Sequence, residues 1–230
     1  GTKTAPEETE GLTGEGWYTN RFDFYTLEGS RRLAEALKKF TGGHLVINIV
    51  DMPIKCPVAP LEFAFLADAY FKKRGIRDKV RISYVTPLDA AFTKPVAAKV
   101  FGDFLAQKGI ELVAEFNTGR VEGNQLVSWD ERTVGFDLLV TVPLHSGADF
   151  LKGTEIADDL GFVRVHKGTL QSEKYPEIFA LGDAANVPTS KAGAVAHFES
   201  ESLSDNILRY IRKEALQADF DGHANCFIET

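Results

Sequence analysis

From Leu27 to Phe40 apolar residues recur at helical spacing, with Leu33, Ala34, Leu37 and Phe40 on one stripe, and Thr41-Gly42-Gly43 stops the run. The next stretch, 44–50, is a continuous Val/Ile-rich run of strand length, the signature of a strand buried on both faces. The same alternation repeats twice. A helix is predicted over 60–73, ended by Gly75, with a strand over 80–86; another is predicted over 95–108, ended by Gly109, with a strand over 110–116. Helices and strands alternating in this way predict a parallel sheet with right-handed crossovers, so 44–50, 80–86 and 110–116 should be neighbours in one sheet.

After Thr118 the rhythm changes. Short strands over 120–122, 125–129 and 136–142, separated by Gly123-Asn124 and Asp130-Glu131, read as a hairpin-like meander. Two further short strands are predicted over 162–165 and 178–180, and one long helix over 191–214. Residues 1–20 carry Pro6, Gly11, Gly14 and Gly16 among acidic residues without apolar periodicity, and read as an irregular connector. The organisation expected is therefore α/β: a connector (1–20), a Rossmann-like parallel-sheet domain with a small β-meander (21–142), and a third segment (143–230).

Composition narrows the function. The 26 Lys+Arg against 33 Asp+Glu leave a net charge of −7, which argues against nucleic acid as the main partner because phosphate recognition needs a basic surface. No apolar run approaches the roughly 20 residues of a membrane-spanning helix, so the chain itself is expected to be soluble. The two cysteines, Cys56 and Cys226, are too few for a secreted disulfide framework and lack zinc-site spacing, so no metal is expected.

Two places can carry chemistry. After the strand over 44–50 a dinucleotide fold requires Gly-x-Gly-x-x-Gly, whose backbone N–H groups meet a pyrophosphate at a helix N-terminus. This chain has instead a loop, 51–62, in which Pro53, Pro57 and Pro60 remove N–H donors, and no Gly-x-Gly-x-x-Gly occurs anywhere along it. A Rossmann-like shape that does not bind NAD is the expected consequence. Cys56 lies between Pro53 and Pro57, before a helix whose N-terminus can lower a thiol pKa; a structural Pro-rich turn accounts for the same residues. The second place is the apolar segment Ile178-Phe179-Ala180-Leu181 running into Gly182-Asp183, which sets one carboxylate at a strand end where it can accept hydrogen bonds from a polyol. An ordinary Gly-Asp turn is the plainer alternative.

The string from Ile178 to Ala185 resembles the second FAD motif of the two-dinucleotide-fold flavoproteins, and Gly1-Thr2-Lys3 resembles the tail of their Ala-Thr-Gly segment. Within that superfamily, the stretches 53–60, 188–193 and 223–230 resemble the sulfide:quinone oxidoreductases, so that the likeness covers essentially the whole chain. The resemblance implies a Rossmann-like domain inserted into the second half of an FAD domain. It also implies an enzyme that oxidises sulfide to sulfane sulfur or polysulfide and reduces a quinone through FAD. Cys56 and Cys226 would carry sulfur between them and Glu62 would transfer a proton. Gly182, Asp183, Lys191, Ala192 and Gly193 would hold the flavin, and Phe227 would face the quinone.

The departures are equally specific. Without the first glycine motif the FAD site is incomplete, and the C-terminal segment by which such proteins sit on a membrane would follow Thr230. The chain is thus expected to be an internal piece lacking roughly 100 preceding residues and a tail, inactive alone, from a protein peripheral to a membrane. Three rivals remain: a flavin subunit of a cytochrome-linked sulfide dehydrogenase, a non-catalytic Rossmann-like binding module, and, disfavoured by the prolines, an NADH-linked disulfide reductase.

Overall fold

The computed structural model describes residues 1–230. In chain order the regular elements are β1 (Lys3–Thr4), β2 (Arg21–Phe22), α1 (Leu27–Lys39), β3 (Gly43–Ile49), α2 (Ala59–Lys73), β4 (Val80–Val85), α3 (Pro95–Gln107), β5 (Ile110–Val113), β6 (Thr118–Glu122), β7 (Gln125–Ser128), β8 (Thr133–Gly135), β9 (Leu138–Val142), β10 (His145–Ser146) and α4 (Gly193–Arg212). They divide between two compact units, one made of Ala5–Met52, Val58–Leu144 and Ile228–Thr230, the other of Gly1–Thr4, Pro53–Pro57 and His145–Phe227.

The larger unit is built on a five-stranded sheet in the order β2-β9-β3-β4-β5, every pair parallel. The three strands expected to be adjacent are adjacent and parallel. Their helices start and stop for local reasons. Thr26 caps α1 by accepting the Gly29 N–H, and buried Asp23 accepts the N–H groups of Tyr25 and Thr26 at 2.9 and 2.7 Å. Pro60 and Pro95 sit in the first turns of α2 and α3, where a missing N–H costs nothing.

Two strands differ from expectation. Residues 110–116 do not stay extended, because Glu115 adopts a left-handed φ of 52° and β5 ends at Val113. The stretch 136–142 is not the third strand of the meander. That place is taken by β8, completing an antiparallel β6-β7-β8 sheet, while β9 pairs in parallel between β2 and β3. All five residues of β9 are buried, and an uninterrupted apolar run suits a strand covered on both faces better than a half-exposed meander edge. The connector also does more than link: Leu12 is fully buried in a cluster with Val46, Val85, Phe116, Leu126 and Leu139.

In the smaller unit β1 and β10 form an antiparallel pair, and α4 is the one long element. The strands expected over 162–165 and 178–180 appear only as single bridges, Val163↔Ala185, Val165↔Ser172 and Gln171↔Phe179. Buried Val163, Val165, Leu170, Ala185, Val195 and Phe220 form its core. Helix α4 begins at Gly193, two residues later than predicted, and ends at Lys213 in the left-handed region at φ 59°. No helix is long and apolar enough to cross a membrane.

Candidate functional site: a strained cysteine loop and a glycine-aspartate turn

The smaller unit brings the Pro53–Pro57 loop together with the turn and helix that follow residue 180, although more than a hundred residues separate them. The Cys56 N–H donates to the Lys191 carbonyl at 2.7 Å, and Lys55 and Lys191 form a parallel bridge. Ile54 and Pro57 are buried and anchor the loop on either side, while Cys56 itself is exposed. Its φ of 50° lies in the left-handed region, uncommon for a residue with a side chain and a form of strain that gathers at working sites. Pro53 and Pro57 fix their own φ at the two ends of the loop, and the Cys56 N–H is spent on the Lys191 carbonyl.

Leu181 to Ala185 form the second part. Gly182 takes a φ of 62°, and a Cβ there would stand 3.2 Å from Ala196 Cβ, so this turn requires glycine. Its N–H donates to the Glu199 carboxylate, reaching across from α4. Asp183 is half-buried and its carboxylate accepts no hydrogen bond from the chain. A carboxylate left with open acceptor positions beside a left-handed glycine fits the hydroxyls of a polyol, as the ribityl chain of a flavin would supply. Behind the turn, the 7%-exposed Lys191 donates from Nζ to the carbonyls of Asp183 and Ala185 at 3.1 and 2.9 Å, with Nζ 3.8 Å from the centre of the Phe162 ring. Burial pushes the Lys191 ammonium pKa down, opposed by the charges of Asp183, Asp158 and Glu199. The ammonium thus braces the Asp183 backbone from inside the unit.

Glu199 is the residue beside this turn that the sequence did not single out. It is 1% exposed, and burial pushes its carboxyl pKa up, offset in part by the Gly182 N–H. A signal existed: Val195, Glu199 and Asn206 are the buried positions of α4, so a carboxylate falls on the face where helical periodicity demands apolar residues. Ala192 is buried as the N-cap residue and Gly193 opens α4; no side chain caps this end, which leaves its N–H groups available.

The remaining expected residues lie elsewhere. Cys226 and Phe227 are exposed in an extended stretch after α4, with Phe227 95% exposed; nearby, His223 meets the Phe198 ring edge-on at 4.6 Å. No disulfide joins Cys56 to Cys226. Glu62 lies in the first turn of α2, in the larger unit, where it accepts the Glu229 N–H at 3.3 Å. The fit to a flavin is thus one-sided: the polyol turn and an open helix N-terminus are present, and a glycine-lined pyrophosphate cradle is not.

No family model matches the chain. It is 27% identical over 232 residues to the mitochondrial sulfide:quinone oxidoreductase of Mus musculus, covering 97% of this chain and 52% of that protein. To the protein of the same name from Dictyostelium discoideum it is 29% identical over 223 residues, covering 94% and 49%. Among solved structures, the sulfide:quinone oxidoreductase of the hyperthermophilic bacterium Aquifex aeolicus matches 93% of this chain and 53% of that one, with a TM-score of 0.76 and 21% identity. The resemblance read from the cysteine flanks therefore holds along nearly the whole chain, which spans about half the length of the curated relatives it matches.

Proposed function

We propose that this chain is the sulfur-handling half of a flavoprotein that oxidises sulfide and passes the electrons to a quinone. The observation that carries the reading is Cys56: an exposed cysteine in left-handed strain, tied through its own N–H to Lys191, whose ammonium braces the Gly182-Asp183 turn. The curated relatives named sulfide:quinone oxidoreductase support the choice of substrates.

In this reading Cys56 and Cys226 are joined by a sulfur bridge during turnover. A hydrosulfide attacks one bridging sulfur; a new S–S bond forms, the old one breaks, and the departing cysteine keeps the electron pair as a thiolate. Closing the bridge again, one sulfur longer, releases two electrons and one proton. Glu62 takes the proton. With FAD bound, Asp183 would accept hydrogen bonds from the ribityl hydroxyls, Gly182 would allow that approach, and Lys191, Ala192 and Gly193 would present the N-terminus of α4 to the ring system, its positive end favouring negative charge there. The flavin, when bound, supplies the two-electron acceptor between the thiolate and the quinone. Phe227 borders the quinone, and the complete protein lies at a membrane surface from which that quinone is drawn.

The test is anaerobic reduction of the complete flavin-loaded protein by sulfide, followed by reoxidation with a short-chain quinone or, separately, a c-type cytochrome. Cys56→Ser and Cys226→Ser should each keep the flavin absorbance band and lose its bleaching by sulfide. Normal bleaching in both variants overturns the assignment, and turnover with cytochrome alone replaces the quinone as acceptor.

A further inference from the structure

Helix α4 and the residue that leads into it grip the Gly182–Ala185 turn at three points. Ala196 packs so near Gly182 that a Cβ on the glycine would stand 3.2 Å from the alanine methyl. Three residues on, and so on the same face of the helix, Glu199 accepts the Gly182 N–H. Lys191, ahead of the helix, donates to the Asp183 and Ala185 carbonyls. Inside the turn the Ala185 N–H donates to the Gly182 carbonyl. The backbone that aims the Asp183 side chain is therefore held on one side by Glu199 and on the other by Lys191.

A carboxyl group is an unexpected acceptor for this task. Glu199 is 1% exposed, and a neutral amide would accept the same N–H without the desolvation cost of a buried charge. The Lys191 ammonium does not explain the acid, because its hydrogen bonds go to main-chain carbonyls and it acts on Glu199 only through its field. The other charged group around Glu199 is the Asp183 carboxylate, which opposes a second negative charge so near. Burial and Asp183 thus hold Glu199 back from ionising, while the Gly182 N–H and Lys191 favour its charged form. A ligand seated on Asp183 takes further water away from this pair and moves the balance toward the neutral acid.

We propose that Glu199 is a positioning residue for flavin binding: it fixes the turn that presents Asp183 to the ribityl hydroxyls, and it takes up a proton from solvent as Asp183 engages FAD. The inference rests on the reading of this chain as half of a flavoprotein, and adds to it a residue that acts through the Gly182 N–H rather than on the flavin itself.

The experiment removes FAD from the complete protein and measures rebinding by quenching of flavin fluorescence, from about pH 5.5 to about pH 8.5. Wild-type affinity should fall as pH rises through the Glu199 titration, by up to about tenfold per pH unit for the one proton taken up. Glu199→Gln stays neutral at every pH and still accepts the Gly182 N–H, so it should lose this slope and keep the affinity of the acid limit. Glu199→Leu offers no acceptor and should bind FAD about tenfold more weakly at every pH. Without FAD, the Gly182 amide should exchange slowly with solvent in the wild type and in Glu199→Gln, and much faster in Glu199→Leu. A slope in Glu199→Gln equal to that of the wild type, or wild-type affinity in Glu199→Leu, would overturn the proposal and leave the flavoprotein reading standing. A complete wild-type protein that binds no FAD would overturn both. Circular dichroism melts show that each variant is folded, and the slope of Glu199→Gln decides the matter by itself if Glu199→Leu is not.

Discussion

Asp68 on α2 and Glu199 on α4 are each 1% exposed, one in the larger unit and one in the smaller, and their surroundings treat the same chemical group in opposite ways. Around Asp68 stand three cations. Lys72 and Arg77 donate to it at 2.7 and 2.6 Å, Lys108 lies at 3.8 Å, and Arg77 goes on to bind the carbonyls of Val80 and Lys108. Burial by itself would raise the Asp68 pKa, but the hydrogen bonds and charges of Lys72 and Arg77 outweigh it and hold the carboxyl below the ordinary range. Glu199 has no cation in hydrogen-bond contact. Its identified partner is the Gly182 N–H, and burial prevails, pushing its pKa up. The first carboxylate ties a helix end to the sheet; the second is left partly uncompensated at the turn that presents Asp183. A scaffold neutralises its buried charge, and the turn read as the cofactor-binding one keeps it in tension.

The largest test of that contrast is Asp68→Ala. It strands Arg77 beside a vacated partner and should destabilise the larger unit by about 3 kcal/mol or more in urea unfolding. A loss under about 1 kcal/mol would make the cluster no more than a surface ion pair.

Glu199 should respond differently to two substitutions. Glu199→Gln keeps an acceptor for the Gly182 N–H and removes a carboxyl that resists ionisation, so stability at pH 8 should hold or rise. Glu199→Leu leaves the N–H unsatisfied and should cost about 1–3 kcal/mol. Equal losses in both variants would mean that the negative charge itself is required.

The pH dependence sharpens the comparison, because the two shifts have opposite signs. Asp68 is depressed in the folded state, so its stabilisation is present above the ordinary Asp range and fades as pH falls through the folded value. Glu199 is raised, so the folded state is penalised as pH climbs above the ordinary Glu range, and the penalty grows until the folded value is passed. Denaturation midpoints from pH 3 to 8 should therefore show the wild type losing its advantage over Asp68→Asn at the acid end. Against Glu199→Gln the wild type should compare best at that same end. Parallel profiles would remove the contrast.

The smallest effect expected is at Gly182→Ala. A Cβ at φ 62° with Ala196 3.2 Å away should cost about 1–2 kcal/mol, and should weaken flavin binding in the complete protein by more than it lowers stability. Unchanged flavin affinity would detach this turn from the cofactor.

Much of this was legible along the chain. The three helices and three strands from Leu27 to Val113 follow from apolar spacing, glycine stops and prolines in first turns, because those signals act within one or two turns of the residues that carry them. That Pro53, Pro57 and Pro60 take N–H donors out of the segment after β3 is read from the sequence alone, since it depends only on which residues carry an N–H group. What needed the fold was whatever depends on a partner far along the chain. Whether 138–142 closes a meander or enters the parallel sheet turns on which surfaces cover it, and Leu138 to Val142 are covered on both faces. The left-handed Cys56 is set by the Lys191 carbonyl, 135 residues away, as the chain's contribution to a bridge that no local rule anticipates. Glu199 looks like any acidic helix residue until tertiary packing takes it out of water and leaves it the Gly182 N–H. The chain's own residues thus determined the elements and the types of chemistry available, through interactions within a few residues; only the tertiary structure decided which of those groups were buried, strained or left open, because burial is a property of surfaces that distant segments make together.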